Sequence, residues 1–248
     1  GLTATPERMD GKNVLEFFDD RIAAELRLGE AIDNKLLAPF HYFCVTDNTV
    51  DYSKVNWVNK SYDKCMLDNL ISGNTQRADL VITSMYDYLR NLDSTIGLGF
   101  CNSVKHAEFM ADYFNRKNIP SVALHAESSE EQREEAISKL RNRKINFIFT
   151  RDLFNEGIDI PEVNTMLFLR PTESLTIFIQ QLGRGLRIAD GKECVTVLDY
   201  VGQAHKQYNY YEKFAAISRK KGKELKDSIE KNNVLLPKGC YLYMEKVA

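Results

Sequence analysis

The chain has 248 residues, and 33 Lys and Arg against 35 Asp and Glu leave a net charge of −2. Hydrophobic residues at 44% and charged residues at 27% are ordinary globular values, which exclude wholesale disorder, a collagen-like repeat and a polybasic nucleic-acid coat. The length corresponds to between one and two domains of about 150 residues and suffices for a core without staples. The five cysteines, Cys44, Cys65, Cys101, Cys194 and Cys240, are scattered and never form a C-x-x-C pair. That usage fits reduced thiols in a cytoplasmic protein better than a disulfide framework or a zinc site. No apolar run approaches the roughly 18 residues of a membrane helix, and no signal-peptide pattern opens the chain. The first residue is Gly1, so a piece of a longer protein is expected.

In chain order, a turn-rich peptide leads into a helix expected over Arg21 to Leu37, with Ile22, Ala23, Leu26, Leu28, Ile32 and Leu36 as its stripe. Pro39 favours an extended segment up to Val45. Helices are expected near 54–71 and 75–91, with 39–93 read as a strand plus a helical insertion leading into the main domain. From Ser94 strands and helices alternate. Strand Thr95 to Cys101 precedes an amphipathic helix from Val104. Strand Ser121 to Leu124, helix Glu130 to Arg141 and strand Ile145 to Thr150 follow. Strand Thr165 to Leu169, helix Glu173 to Leu182 and strand Cys194 to Tyr200 complete the series. Such alternation implies a parallel sheet covered on both faces, with strand-to-helix loops gathered at its carboxyl edge, where open α/β sheets bind ligands. The domain is expected over 94–203. Residues 204–248 form a basic helical tail, His205 to Lys223 then Glu224 to Asn232, ending in a short strand, Tyr241 to Met244.

Three segments carry chemistry. Gln180-Gln181-Leu182-Gly183-Arg184-Gly185-Leu186-Arg187 closes a helix with two arginines three residues apart. Arginine's planar, permanently charged fork suits phosphate, and the glycines allow close backbone approach. A solvated basic helix end is the alternative. In Phe149 to Pro161 a buried strand delivers a polar loop in which Gly157 frees the backbone. Asp159 lies there between two isoleucines and needs a partner; a turn before Pro161 is the plain reading. Thr3-Ala4-Thr5-Pro6 alone is a turn.

Together and in order, these segments resemble the superfamily 2 helicases of the DEAD/DEAH type. Thr3 to Pro6 is similar to motif III. Gly99-Phe100-Cys101-Asn102-Ser103-Val104-Lys105-His106-Ala107 resembles motif IV, Thr150 to Pro161 motif V, and Gln180 to Arg187 the Q-x-x-G-R-x-x-R of motif VI. Leu124-His125-Ala126 resembles a further landmark of the family. The tail, from Val197-Leu198-Asp199-Tyr200-Val201-Gly202 to Leu235-Leu236-Pro237-Lys238-Gly239-Cys240, is similar to a bacterial subgroup. There the helicase often follows a phospholipase D-like nuclease, whose H-x-K motif this chain lacks.

The resemblance implies an α/β, RecA-like, P-loop-NTPase-type three-layer domain with a mainly parallel sheet and helical additions. It implies ATP and Mg2+ as cofactors. The phosphate cradle and magnesium carboxylates belong to a preceding RecA-like domain, since G-x-x-x-x-G-K-[ST] and the Asp-Glu dipeptide are both missing here. Arg184 and Arg187 are implied as arginine fingers, Gln180 as their neighbour at the interface, and Gly157 and Asp159 as nucleotide contacts. Asn102, Ser103, Lys105, His125 and Thr150 are implied as contacts to nucleic acid, with DNA favoured over RNA. His125 and Thr150 also read as ordinary loop and strand-end residues. Trp57 with Tyr52 and Tyr62, and the run Arg219 to Lys223, fit either nucleic-acid contact or plain packing and solvation. No metal site within the chain and no membrane association are expected.

Overall fold

The computed structural model describes residues 18–19, 21–22, 24–59, 61–151, 160–171, 174–205, 208, 210–218, 222–230 and 234–245. Residues 3–6, Gly157, Asp159 and the basic residues 219–221 lie outside them. The described residues form nine strands: β1 (Phe40–Asp51), β2 (Trp57–Val58), β3 (Ser61–Tyr62), β4 (Gly97–Phe100), β5 (Ser121–Leu124), β6 (Phe147–Thr150), β7 (Thr165–Phe168), β8 (Val195–Gln203) and β9 (Tyr241–Met244). The helices are α1 (Leu28–Asp33), α2 (Lys64–Ile71), α3 (Thr75–Tyr88), α4 (Val104–Arg116), α5 (Glu130–Arg141), α6 (Leu175–Gly185), α7 (Tyr210–Ile217) and α8 (Gly222–Glu230).

Seven strands make one sheet in the order β5-β6-β4-β7-β8-β1-β9, and every neighbouring pair is parallel. Alternate residues of each strand point to opposite faces. Phe40, Tyr42, Leu98, Phe100, Met166, Phe168, Val195 and Val197 face α1, α5, α6, α7 and α8. Val45, Phe147, Phe149, Leu167, Leu198 and Tyr200 face α3 and α4. Each fully buried phenylalanine contributes roughly 1.5–3 kcal/mol. Phe147 and Phe149 demand glycine opposite them. A Cβ on Gly97 would lie 2.2 Å from the Phe147 ring, and one on Gly99 2.3 Å from that of Phe149. The three-layer α/β expectation holds.

Strand β1 does not merely lead into this sheet. It lies between β8 and β9, and α3 covers it through a buried ion pair, Arg77 Nε to Asp47 Oδ2 at 2.7 Å. The tail is tied in likewise. Lys213 of α7 reaches Asp199 of β8 at 3.1 Å, and Tyr42 Oη donates to the same carboxylate oxygen at 2.5 Å.

Two expectations fail locally. The helix over Arg21 to Leu37 shrinks to six residues, because Ile22, Leu26 and Leu36 are more than half exposed and only Ala31 and Ile32 of the helix are buried. Lys35 then takes a left-handed backbone, φ 58°. The helix near 54–71 begins only at Lys64, where the Asp63 carboxylate accepts the Met66 N–H. Before it, Trp57–Val58 and Ser61–Tyr62 form an antiparallel hairpin. Trp57 stacks on His205 there, with ring centroids 5.3 Å apart, and Tyr52 and Tyr62 are buried. The hairpin's aromatic residues are therefore packed together.

Candidate functional site

Parallel strands order the loops along two edges. At the carboxyl edge His125 follows β5, Thr150 ends β6 and Asn102 follows β4; these three strands are neighbours in the sheet. Beyond them, the carboxyl ends of β1 and β8 enclose a cleft of about 280 Å³ lined by Thr46, Asp47, Asn48, Thr49, Val50, Asp51, Val201, Gly202 and Gln203.

Four of the five expected nucleic-acid residues reach the surface at this edge. Lys105 is exposed on the first turn of α4, while Asn102, Ser103 and His125 are half-buried. Ser103 caps α4 by accepting the His106 N–H at 3.0 Å, and its hydroxyl donates to Asp68 of α2. Ser72 also donates to that Asp68 oxygen, at 2.6 Å. Burial alone would raise the Asp68 pKa, but hydrogen bonds from Ser103, Ser72 and Asn102 outweigh it and lower the carboxyl below its ordinary value. Helix α2 therefore braces the loop that opens α4. Asp68 is a residue the sequence reading missed.

Under the same loop lies His106, fully buried. Its Nδ1 accepts the Asn102 N–H at 3.3 Å, and its Nε2 has no hydrogen-bond partner among the described residues. Burial, with Arg77 adding to it, pushes its pKa down to about 3, so the ring is neutral. Thr150 departs from the expectation. It is fully buried at the strand end, and its carbonyl accepts the Cys101 N–H at 2.8 Å. Its side chain offers no surface for a direct contact, so its place is in the frame that holds the edge.

The arginines occupy the other edge. Helix α6 returns antiparallel to β7, so its carboxyl end lies at the amino ends of β7 and β8. A Cβ on Gly185 would stand 2.3 Å from Met166 Sδ and 3.3 Å from Val195 Cγ1, whereas one on Gly183 would meet nothing. Gly185 is the glycine that lets the helix end seat on the sheet. Arg184 stands in the last turn, Arg187 just past the helix cap at Leu186, and Gln180 one turn earlier; all three are half-buried. Next to Gln180, Gln181 is fully buried, and neither of its amide atoms has a hydrogen-bond partner among the described residues.

The sequence reading also missed Lys192. Its Nζ donates to the carbonyls of Pro161 at 2.7 Å, Gly185 at 2.6 Å and Arg187 at 2.7 Å. Burial lowers its pKa to about 8, with Glu162 opposing the shift. Arg184 and Arg187 thus stand at the amino edge, opposite the carboxyl edge that carries Asn102, Ser103, Lys105 and His125. Among the described residues no group of three His, Cys, Asp or Glu side chains converges as for a metal ion, and no helix is long and apolar enough to cross a membrane.

Residues 74–189 match the model of the helicase conserved C-terminal domain. The match takes in α3 to α6 with the strands between them, a little under half of the chain. Among curated proteins it is 28% identical over 205 residues to the "Putative ATP-dependent helicase IRC3" of Saccharomyces cerevisiae, covering 82% of this chain and 29% of that protein. Among solved structures it is similar to the fragment of "a putative HsdR subunit of a type I restriction enzyme" from Vibrio vulnificus YJ016, with TM-score 0.63 and 22% identity. That match covers 80% of this chain and 38% of the other. The "ATP-dependent Type ISP restriction-modification enzyme LlaBIII bound to DNA" aligns with TM-score 0.59 and 14% identity, over 100% of this chain and 18% of that one. These likenesses establish the RecA-like fold of the helicase C-terminal domain. The chain spans less than half the length of the curated relatives it matches.

Proposed function

We propose that this helicase domain works as the C-terminal half of an ATP-dependent nucleic-acid helicase or translocase, hydrolysing ATP in a cleft shared with a preceding RecA-like domain. One observation carries the reading. Arg184, Arg187 and Gln180 stand together at the amino edge, while Asn102, Ser103, Lys105 and His125 stand at the carboxyl edge. A motor needs its hydrolysis site and its track on separate surfaces of one rigid sheet.

Two guanidinium groups at a helix end suit a polyphosphate, and the chain has no phosphate cradle of its own. Mg2+-bound ATP, held by the preceding domain, supplies the phosphoanhydride bond. Arg184 and Arg187 donate hydrogen bonds to the γ-phosphoryl oxygens and hold the charge that spreads over them during transfer. Gln180 orients water beside them. Gly157 allows backbone approach to the nucleotide, and Asp159 accepts from the ribose hydroxyl. At the far edge Lys105 supplies charge, and Asn102, Ser103 and His125 supply short polar contacts that position a phosphate backbone without reading sequence. DNA is the favoured track, in keeping with the DNA-bound neighbour. The five unpaired cysteines fit work in the reducing cytoplasm.

The test is steady-state ATPase of the full-length protein with single-stranded DNA, duplex DNA and RNA as activators. DNA is expected to stimulate most. Arg187→Ala is expected to lower turnover by about 10³–10⁵ while DNA binding persists. Near-normal turnover by that variant would refute the assignment.

A further inference from the structure

Arg187 stands beyond the last residue of α6, and its main-chain carbonyl is held by the Lys192 ammonium at 2.7 Å. The placement of that backbone matters, because a guanidinium misplaced by 1 Å forfeits most of its effect on a reacting phosphoryl group. We propose that Lys192 is a positioning residue for Arg187, clamping the loop that carries it to the segment that closes motif V. The proposal rests on the reading of Arg187 given above.

The geometry is that of a saturated clamp. An ammonium group has three N–H donors and no acceptor. All three are spent on main-chain carbonyls, those of Pro161, Gly185 and Arg187, at 2.6–2.7 Å. Charge-assisted bonds of this length are the strong kind. The Gly185 carbonyl belongs to the last turn of α6, where carbonyls lack intrahelical partners and carry the negative end of the helix dipole. A plain helix cap would need that bond alone. The other two carbonyls lie outside the helix. One is that of Arg187 itself, and the other follows the segment containing Gly157 and Asp159. Lys192 makes no ion pair among the described residues, so its charge is directed at the backbone. A tight turn delivers it: the Lys192 N–H donates to the Ala189 carbonyl at 3.2 Å, and Gly191 takes φ 76° at the turn's third position.

The experiment compares Lys192→Met, Lys192→Arg and Arg187→Ala in the full-length protein, reading kcat and KM for ATP, DNA affinity and thermal unfolding. Methionine keeps the apolar stem and removes the donors. It is expected to lower kcat by about 10²-fold with KM for ATP and DNA affinity unchanged. Arginine keeps the charge, but its planar fork cannot aim three donors from one nitrogen at converging carbonyls. Its kcat should fall between methionine and wild type. Wild-type kcat in Lys192→Met, with Arg187→Ala inactive, overturns the clamp and leaves the arginine assignment standing. Near-normal kcat in Arg187→Ala overturns the assignment itself. Should Lys192→Met lose its cooperative unfolding transition, Lys192→Arg decides. Lower kcat at unchanged KM then supports the clamp, and wild-type kcat overturns it.

Discussion

His106 makes acid stability a direct probe of the loop that opens α4. Its ring is fully buried, with a pKa pushed down to about 3 by burial and by Arg77, against a weaker upward pull from Asp68. In the unfolded chain the same ring titrates near its ordinary value of about 6.5. Below that pH the unfolded state takes up a proton that the folded state refuses, so stability is lost as pH falls. The loss is about 1.4 kcal/mol per pH unit, hence about 2 kcal/mol between pH 6.5 and 5. Urea unfolding of wild type and His106→Gln at pH 7.5 and pH 5 measures it. Glutamine keeps a polar side chain without a titrating ring, and the other ionisable groups largely cancel in the difference between the two proteins. The stability of wild type relative to the variant should fall by about 2 kcal/mol on acidification. A difference that stays flat over this range would mean that His106 is solvated or paired in the folded state, and the account of the loop would fall with it.

Asp47→Ala should destabilise the fold by about 3–5 kcal/mol, because it leaves the Arg77 guanidinium buried without its carboxylate; chemical unfolding at neutral pH reads this, and an unchanged midpoint would contradict the buried-pair reading. Lys105→Ala in the full-length protein should weaken DNA binding evenly across sequences and make its salt dependence shallower by about one unit of slope; an unaltered slope in binding titrations over a range of salt would remove Lys105 from the phosphate contacts.

The middle of the domain was legible because its signals are local. Ser121–Leu124 and Glu130–Arg141 fall where periodicity and caps put them. Ser129 accepts the Gln132 N–H, and the Gln132 side chain accepts the Ser129 N–H, a reciprocal cap readable from sequence spacing. The 57–62 hairpin was not legible, because its aromatic residues are held by partners far along the chain: Trp57 by the His205 ring and Tyr62 Oη by the His205 N–H at 2.8 Å. The residue types of the arginine edge could be read, but its support could not. Three carbonyls from positions 161, 185 and 187 converge only once β7 and α6 are packed, and a carbonyl leaves no side-chain signature. Asp190-Gly191, a turn ahead of a lysine, was the one local cue.

The two edges share one set of strands. Thr150 ends β6 at the carboxyl edge, and Pro161 lies just before β7, at the amino edge. Both ends are held. The Thr150 carbonyl accepts the Cys101 N–H, one residue before the loop that carries Asn102 and Ser103. The Pro161 carbonyl accepts from Lys192, which also holds Arg187. Strands β4, β6 and β7, locked to one another in register, cannot slide past one another without breaking their ladder. The loop after β4 and the loop after α6 are therefore held on one frame, the first through the Thr150 carbonyl and the second through the Lys192 ammonium.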